Sequence, residues 1–400
     1  MDKKLSQLIA LFLFCILLVV TFSGCIEKEQ KSEESKETLP PAVKLDKPSI
    51  LPDWKDGEYH DYYETTDMLS DFKVKYPDLV NVFSICESVL GKDIWCIRLT
   101  NEKNNQAKLS CLIDGCMHGN EWEGGEACLY LSEYLLINFD ANETITRILN
   151  SSEVYIIPLV NPDSRQDDSR FNDNGIGLAR NFDIDFGRIR GYVIPLGKLF
   201  GRIKIPYLPY NLSRGFKLLH KLFPSFPLWV TNCGRHPFSE PETKAIRDFM
   251  RELENDDFSF YLDCHTGCHN FVIPWSAFKP PFEIPKQEQY IYNYAKEWVA
   301  KNTEYENAEI SYQGASYKAS GSPVDWCFKE FHITSFTFEI LSHDYDPGPG
   351  KGKHDNLVNW MKTTLPVFMY LLVNIDNLRQ WRTPDIEPSL PEGVPPPPLK

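Results

Sequence analysis

Positive charge is what this 400-residue chain is short of: 42 Lys and Arg stand against 56 Asp and Glu, a net charge of −14 at pH 7. A nucleic-acid binder normally presents a basic face, so the balance argues against that class. It favours solubility without naming a partner. Thiolate pairs in metal-binding spacing are also missing. The chain has 11 cysteines but no CxxC…CxxC pattern, which leaves a structural zinc site built from Cys without support. No internal repeat is present, and that sets aside solenoids and propellers.

What is there begins with a leader. Lys3 and Lys4 precede the apolar stretch Leu8–Val20, which is short for a membrane span and about right for the core of a signal peptide. Ser23 and Gly24 stand immediately before Cys25, the pattern of a lipoprotein signal in which Cys25 becomes the lipid-bearing first residue. An ordinary cleavage site and an uncleaved anchor remain alternatives. Residues 1–25 are therefore expected to be a lipoprotein-type signal peptide, and the mature chain to be exported and anchored to the outer face of the membrane. Residues 26–50 are rich in Glu, Lys, Ser and Pro. Such a segment buries too little apolar surface to offset its ordering entropy, and a disordered tether is expected. Residues 383–400 form a Pro-rich tail. Export permits disulfides, but spacing assigns no pairs, and small buried hydrophobes are the commoner role for such cysteines.

Between these ends, residues 51–382 read as one domain. Alternating or β-branched runs predict strands at 80–85, 93–100 and 109–114. Continuous apolar runs predict buried strands at 154–162, 258–265 and 334–341. Helical spacing marks 124–139, 240–254, 290–302 and a long closing helix at 356–381, with Ser239 and Glu242 as a capping pair for the second. Strands that alternate with helices define an α/β fold with a mixed, mostly parallel central sheet flanked by helices. Ligands of such sheets sit at the carboxyl ends of strands.

The segment "DGCMHGNEWEGGE" (114–126) follows one of those strand ends and contains His118-x-x-Glu121. Alone the pair means little. With 9 His and 56 acidic residues, chance supplies about one such pair, and His343-x-x-Asp346 is another. Position adds weight, because His265 and Glu339 also fall at strand ends. His118, Glu121 and His265 supply the two imidazoles and one carboxylate that a catalytic zinc takes, with a fourth position open for water. Glu339 is placed to accept the proton of that water. Arg170 and Arg180 are candidate cations for the charge that develops on the carbonyl, and Arg165 competes with Arg170.

Seven stretches in register carry a resemblance: 76–95, "DGCMHGNEWEGGE", "NPDSRQDDSRFNDNGIGLARNFD" (161–183), "SEPET" (239–243), "LDCHTG" (262–267), "YKASGSPVDW" (317–326) and "SFTFEI" (335–340). Together they resemble the zinc metallocarboxypeptidase family, the carboxypeptidase A-like group, across about residues 55–380. The resemblance implies one zinc per chain on His118, Glu121 and His265, with Glu339 as general base. It implies Arg170 polarising the scissile carbonyl, and Arg180 binding the terminal carboxylate of a peptide substrate, with Asn181 among the substrate-binding residues. Tyr317 would close over the substrate, and Val324 would line the pocket for the departing side chain.

Two departures qualify it. Where the family reads Gly-Val-Asp-Leu-Asn-Arg-Asn, this chain has Gly175-Ile176-Gly177-Leu178-Ala179-Arg180-Asn181. The aspartate that supports a ligand imidazole is Gly177 here, and a carboxylate-binding asparagine is Ala179. Residues 187–230 form an insertion. It carries Arg188, Arg190, Lys198, Arg202, Lys204, Arg214, Lys217 and Lys221 with no acidic residue among them. It reads as a lid or packing layer, or as a membrane- or partner-facing surface, built from short helices and turns. The activity expected is hydrolysis at the C-terminal end of peptides. A zinc amidase or peptidase acting on modified or cell-envelope peptides is the alternative, and a non-catalytic binding protein of the same fold is a further one. Sequence leaves the oligomeric state open.

Overall fold

A computed structural model describes residues 49–187, 191–195, 202–206, 229–231, 233–254, 257–277, 280–284, 286–303, 305, 319–342 and 356–379. Cys25, Tyr317, His343, the leader, the Pro-rich tail and most of the insertion lie outside the described residues.

The chain enters through α1 (Tyr62–Lys75), which starts at a capping box. The Asp61 side chain accepts from the Tyr63 and Glu64 amides, and the Glu64 carboxylate accepts from the Asp61 amide. Next come β1 (Val80–Glu87), β2 (Asp93–Leu99), β3 (Leu109–Gly115), α2 (Trp122–Asn138), α3 (Glu143–Ser151), β4 (Ser152–Ile157) and α4 (Pro162–Asp167). Three short strands follow, β5 (Gly191–Pro195), β6 (Arg202–Pro206) and β7 (Trp229–Thr231). The rest is α5 (Pro241–Glu254), β8 (Phe258–Val272), α6 (Lys286–Asn302), α7 (Pro323–Phe331), β9 (Thr334–Ser342), α8 (Leu357–Val373) and α9 (Ile375–Arg379). Among the described residues, no helix is long and apolar enough to cross a membrane.

The main sheet has the order β1-β2-β4-β3-β8-β9. β1, β2 and β4 pair antiparallel, whereas β4, β3, β8 and β9 run parallel. β8 doubles back on itself. Phe260–His265 rises alongside Thr334–Glu339, and then Asn270, Phe271 and Val272 lie opposite Glu339, Phe338 and Thr337 in descending order. Counted as its own strand, that arm makes the sheet seven-stranded. β3, β8 and β4 are almost wholly buried, as continuous apolar strands between covering helices should be. α2 packs on β3 and β8, α7 on β9 and α5 on β1. The approach of α2 to the sheet is close: a Cβ on Gly115 would stand 2.5 Å from the Gly124 carbonyl oxygen, so neither backbone leaves room for a side chain.

Several expected boundaries move. β4 stops at Ile157, not at Pro162, because Pro158 has no amide to give the ladder. The closing helix ends at Val373 and resumes as α9, since the Asn374 side chain donates back to the Tyr370 carbonyl (2.7 Å). α1, α3, α4 and α7 are additional helices. The described part of the insertion is a three-stranded antiparallel sheet, β6-β5-β7, rather than helices. The described cysteines Cys86, Cys96, Cys111, Cys116, Cys128, Cys233, Cys264 and Cys327 are free thiols, all but Cys86 buried.

The start of α5 anchors the segment that follows α4. Lys244 donates its amide to the Glu240 carbonyl, so the helix is entered from Glu240. Ser239 turns its hydroxyl to the Glu240 carboxylate (2.6 Å) instead of capping with Glu242. Asn172 donates to Glu240 (2.9 Å) and Glu242 (3.1 Å), and Asn174 donates to Glu240 (2.8 Å). Burial pushes Glu242 up to about 7, against the hydrogen bond from Asn172. The folded state therefore binds this proton more tightly than the unfolded chain. That stabilisation is complete below the ordinary glutamate range and is lost as pH rises toward 7, by roughly 3 kcal/mol at most. Thermal melts of the parent should fall in midpoint between pH 5 and pH 8, and Glu242→Gln should flatten that fall. Parallel curves for the two proteins would remove Glu242 as the cause.

Candidate metal centre

Three neighbouring parallel strands, β3, β8 and β9, bring the site together at their carboxyl ends. The chain leaves β3 at Gly115 and turns through His118, whose carbonyl accepts from the Glu121 amide (3.0 Å), into α2. His265 sits on β8 directly beside Glu339 on β9. The donor atoms of His118, Glu121 and His265 all lie within 4.8 Å of one another, and all three residues are buried. His118 Nδ1 meets Glu121 Oε1 at 2.9 Å, and His265 Nδ1 meets Glu121 Oε2 at 2.7 Å. Both rings thus turn the same nitrogen toward one carboxylate. Thr266 donates its amide to Glu121 Oε2 (3.2 Å), and Arg170 donates Nη1 to Oε1 (2.7 Å).

Electrostatics sort the four groups. Burial first, then the Arg170 guanidinium, lower His118 to about 3, which leaves its ring neutral with a lone pair to give. Burial opposes ionisation of Glu121, yet the His118 and His265 rings hold it well below the usual carboxylate range. Burial also disfavours a charged His265, but Asp263 and then Glu121 raise it well above the usual histidine range. A divalent cation would displace the proton shared between His265 and Glu121. Glu339 is raised by burial to about 7, with His265 opposing and Glu121 adding. Its Oε2 has no hydrogen-bond partner among the described residues. Two nitrogens and one carboxylate in a buried cluster are a donor set that suits zinc with a position left for water.

The outer contacts are unequal. His265 Nε2 is held by Asp263 Oδ2 at 2.8 Å, a carboxylate–imidazole pair of the kind that fixes a ligand's tautomer. His118 Nε2 is buried without a partner among the described residues, in keeping with glycine at position 177. Asp263 escaped the sequence reading, although residues two apart on a strand share a face and the Asp263-x-His265 spacing signals it. Glu123 was missed too. It accepts from Tyr59 (2.8 Å) and from the Thr266 hydroxyl (3.1 Å), and so braces the residue that holds Glu121.

The remaining candidates separate. Arg165 is wholly buried and committed elsewhere: it pairs with Glu126, donates to the His60 and Trp122 carbonyls and lies 3.9 Å over the Trp122 ring. Arg170 is therefore the arginine of the centre. Arg180 ends a single 3-10 turn (Leu178–Arg180), and its Nη1 donates to the Ala179 carbonyl at 2.6 Å. That turn is clasped by Gly321, where an added Cβ would stand 2.2 Å from the Arg180 carbonyl oxygen. Asn181 does not fit the substrate-binding role expected of it. It is fully buried, its amide donates to Cys233 and His236 carbonyls and to Ser239, and its oxygen accepts from Thr243. Val324 is buried at the start of α7.

Comparison with known proteins agrees with this geometry. A family profile described as zinc carboxypeptidase matches residues 65–347. Human carboxypeptidase A6 is 24% identical over 307 residues, which cover 72% of this chain and 61% of that protein. Rat carboxypeptidase B2 is 25% identical over 289 residues, covering 71% and 63%. The chain thus spans less than two thirds of these relatives. The carboxypeptidase A structure from Helicoverpa armigera superposes with a TM-score of 0.61 at 19% identity, over 81% of this chain and 74% of that one. Bovine thrombin-activatable fibrinolysis inhibitor, solved with a tick carboxypeptidase inhibitor, gives 0.57 at 20% identity, over 80% and 98%.

A His118→Ala protein loses one of three donors to the metal. Elemental analysis of the purified variant should show most of the parent's zinc gone. Zinc at full occupancy would take His118 out of the ligand set.

Proposed function

This chain belongs to the zinc carboxypeptidase family, and on that premise we propose that it hydrolyses the peptide bond next to the C-terminus of a peptide. The observation that carries the reading is the meeting of His118, Glu121 and His265 beside a buried, unpartnered carboxylate, Glu339 Oε2, at the ends of adjacent strands. When bound, zinc would supply a Lewis acid that makes water acidic and polarises a carbonyl. His118, Glu121 and His265 would hold it. Glu339, raised to about 7, is matched to accept a proton from water near neutral pH and return it to the leaving amine nitrogen. Arg170, which reaches Glu121 at 2.7 Å, is the cation available to the oxyanion that develops on the scissile carbonyl. Arg180 is the candidate for the substrate carboxylate, since a guanidinium binds one through two parallel hydrogen bonds. Val324 gives the side-chain pocket an apolar residue.

One observation favours a second reading, in which the substrate lacks a free terminal carboxylate. Arg180 turns Nη1 to its own chain's Ala179 carbonyl, and the Asn181 amide is spent inside the loop, so neither Ala179 nor Asn181 helps Arg180 to anchor a carboxylate. That geometry suits an amidase or a peptidase of modified peptides.

Glu339→Gln keeps the shape of the site and removes its proton acceptor. Hydrolysis should fall by about two orders of magnitude or more while zinc content stays at the parent level. Turnover within tenfold of the parent would exclude Glu339 as the base. Matched peptides with a free and an amidated C-terminus separate the two substrate readings. The carboxypeptidase reading expects the free form to be cleaved at least tenfold faster, and equal rates would favour the second.

A further inference from the structure

Behind the centre, on the side away from Glu121, three polar side chains sit in the interior of the sheet and serve no step of the reaction. Asp263 and Asp114 are cross-strand partners on β8 and β3. Both are buried, at 1% and 0% exposure. As register partners on adjacent parallel strands they present their carboxyl groups side by side on one face of the sheet. Each has an Oδ1 with no other partner among the described residues. The second oxygens are engaged outward: Asp263 Oδ2 meets His265 Nε2 at 2.8 Å, and Asp114 Oδ2 accepts from the Tyr261 hydroxyl at 2.9 Å. The order is therefore Tyr261, Asp114, Asp263, His265, Glu121, with the neighbouring carboxyls of Asp114 and Asp263 standing between the hydrogen bonds on either side.

Two buried carboxyls in contact are costly unless a proton lies between them. Burial first, then the charge of Asp263, raise Asp114 well above the usual carboxylate range. Among the ion pairs of the described residues, the partner of this pair is the His265 ring. A leucine or valine at position 114 would continue the apolar run of β3 at less cost, so the acid needs a reason. Its cross-strand neighbour is Asp263, whose Oδ2 is taken by His265 and whose Oδ1 no hydrogen bond among the described residues engages.

We propose that Asp114 is a positioning residue for the metal centre: seated on the Tyr261 hydroxyl, it fixes the Asp263 carboxylate, which in turn holds the His265 ring with Nδ1 facing the metal. The need is sharper because His118 Nε2 has no such brace among the described residues, where His265 is the ligand imidazole held from behind. The inference rests on the zinc reading of the preceding subsection.

The test is zinc affinity of the full chain, measured by competition with a chromophoric chelator, together with the visible spectrum of the cobalt-substituted protein. Asp114→Ala should weaken zinc by about 10- to 100-fold and shift the cobalt bands. Asp114→Asn should restore affinity to within about threefold, since its amide NH2 can donate to Asp263 while its oxygen accepts from Tyr261. In an Asp263→Ala background, Asp114→Ala should add little further loss, because its route to the metal is already cut. Tyr261→Phe, which deletes one hydroxyl and keeps the ring, should weaken zinc measurably and serves if Asp114→Ala does not fold. Unchanged affinity in Asp114→Ala or Tyr261→Phe, no rescue by asparagine, or full additivity with Asp263→Ala would each overturn the proposal. A parent protein that binds no zinc would instead overturn the zinc reading itself.

Discussion

The carboxylate of Glu121 accepts contacts from His118, His265, the Thr266 amide and Arg170. It is buried, and it draws elements from three separate parts of the chain onto one pair of oxygens: the turn after β3, the end of β8, and the segment after α4. Burying an ionised carboxylate is unfavourable unless its lone pairs are filled by donors or a cation. Here they are filled several times over, so the negative charge is stable and the groups around it are fixed by it. Burial and the Arg170 guanidinium keep the His118 ring neutral against the pull of that charge, whereas at Glu339 the same charge adds to the effect of burial.

The fold delivers these groups by permitting backbones to approach closely. α2 can begin at Glu121, against the sheet, only because Gly115 and Gly124 carry no side chains. The Arg180 turn is held in the same way by Gly321, whose φ of +72° also suits glycine. Around it, Asn172, Asn174 and Asn181 tie the loop to the start of α5. Long segments without regular structure are thus positioned by amide–carboxylate contacts, whereas the ligands themselves ride on strands and a helix end.

Much of the central sheet could be read from sequence because buried strands show continuous apolar runs, and the strand-end rule placed His118, His265 and Glu339 together before any geometry was available. What escaped has physical causes. α1 was missed although Asp61 and Glu64 spell out its cap. The pairing of Arg165 with Glu126 was hidden because a buried arginine and an exposed one look alike in sequence, and only packing on Trp122 distinguishes them. Asn181 was misjudged for the reverse reason: adjacency to Arg180 suggested a shared task, while its side chain faces the other way, into the loop interior. Asp114 and Asp263 lie on different strands, so their contact exists only once the register of β3 against β8 is set.

The arm Asn270–Val272, formed where β8 doubles back, lies along β9 at Thr337–Glu339. The backbone of β9 beside Glu339 is therefore already paired on both flanks. A peptide cannot add itself to the sheet there as one more strand, the route by which many proteins capture extended chains without regard to side chains. Access to Glu339 must come end-on, over the strand tips, where side chains and loops decide what enters. The doubled strand thus converts a surface that would accept any extended backbone into one that has to be satisfied by the chemistry of a chain's end.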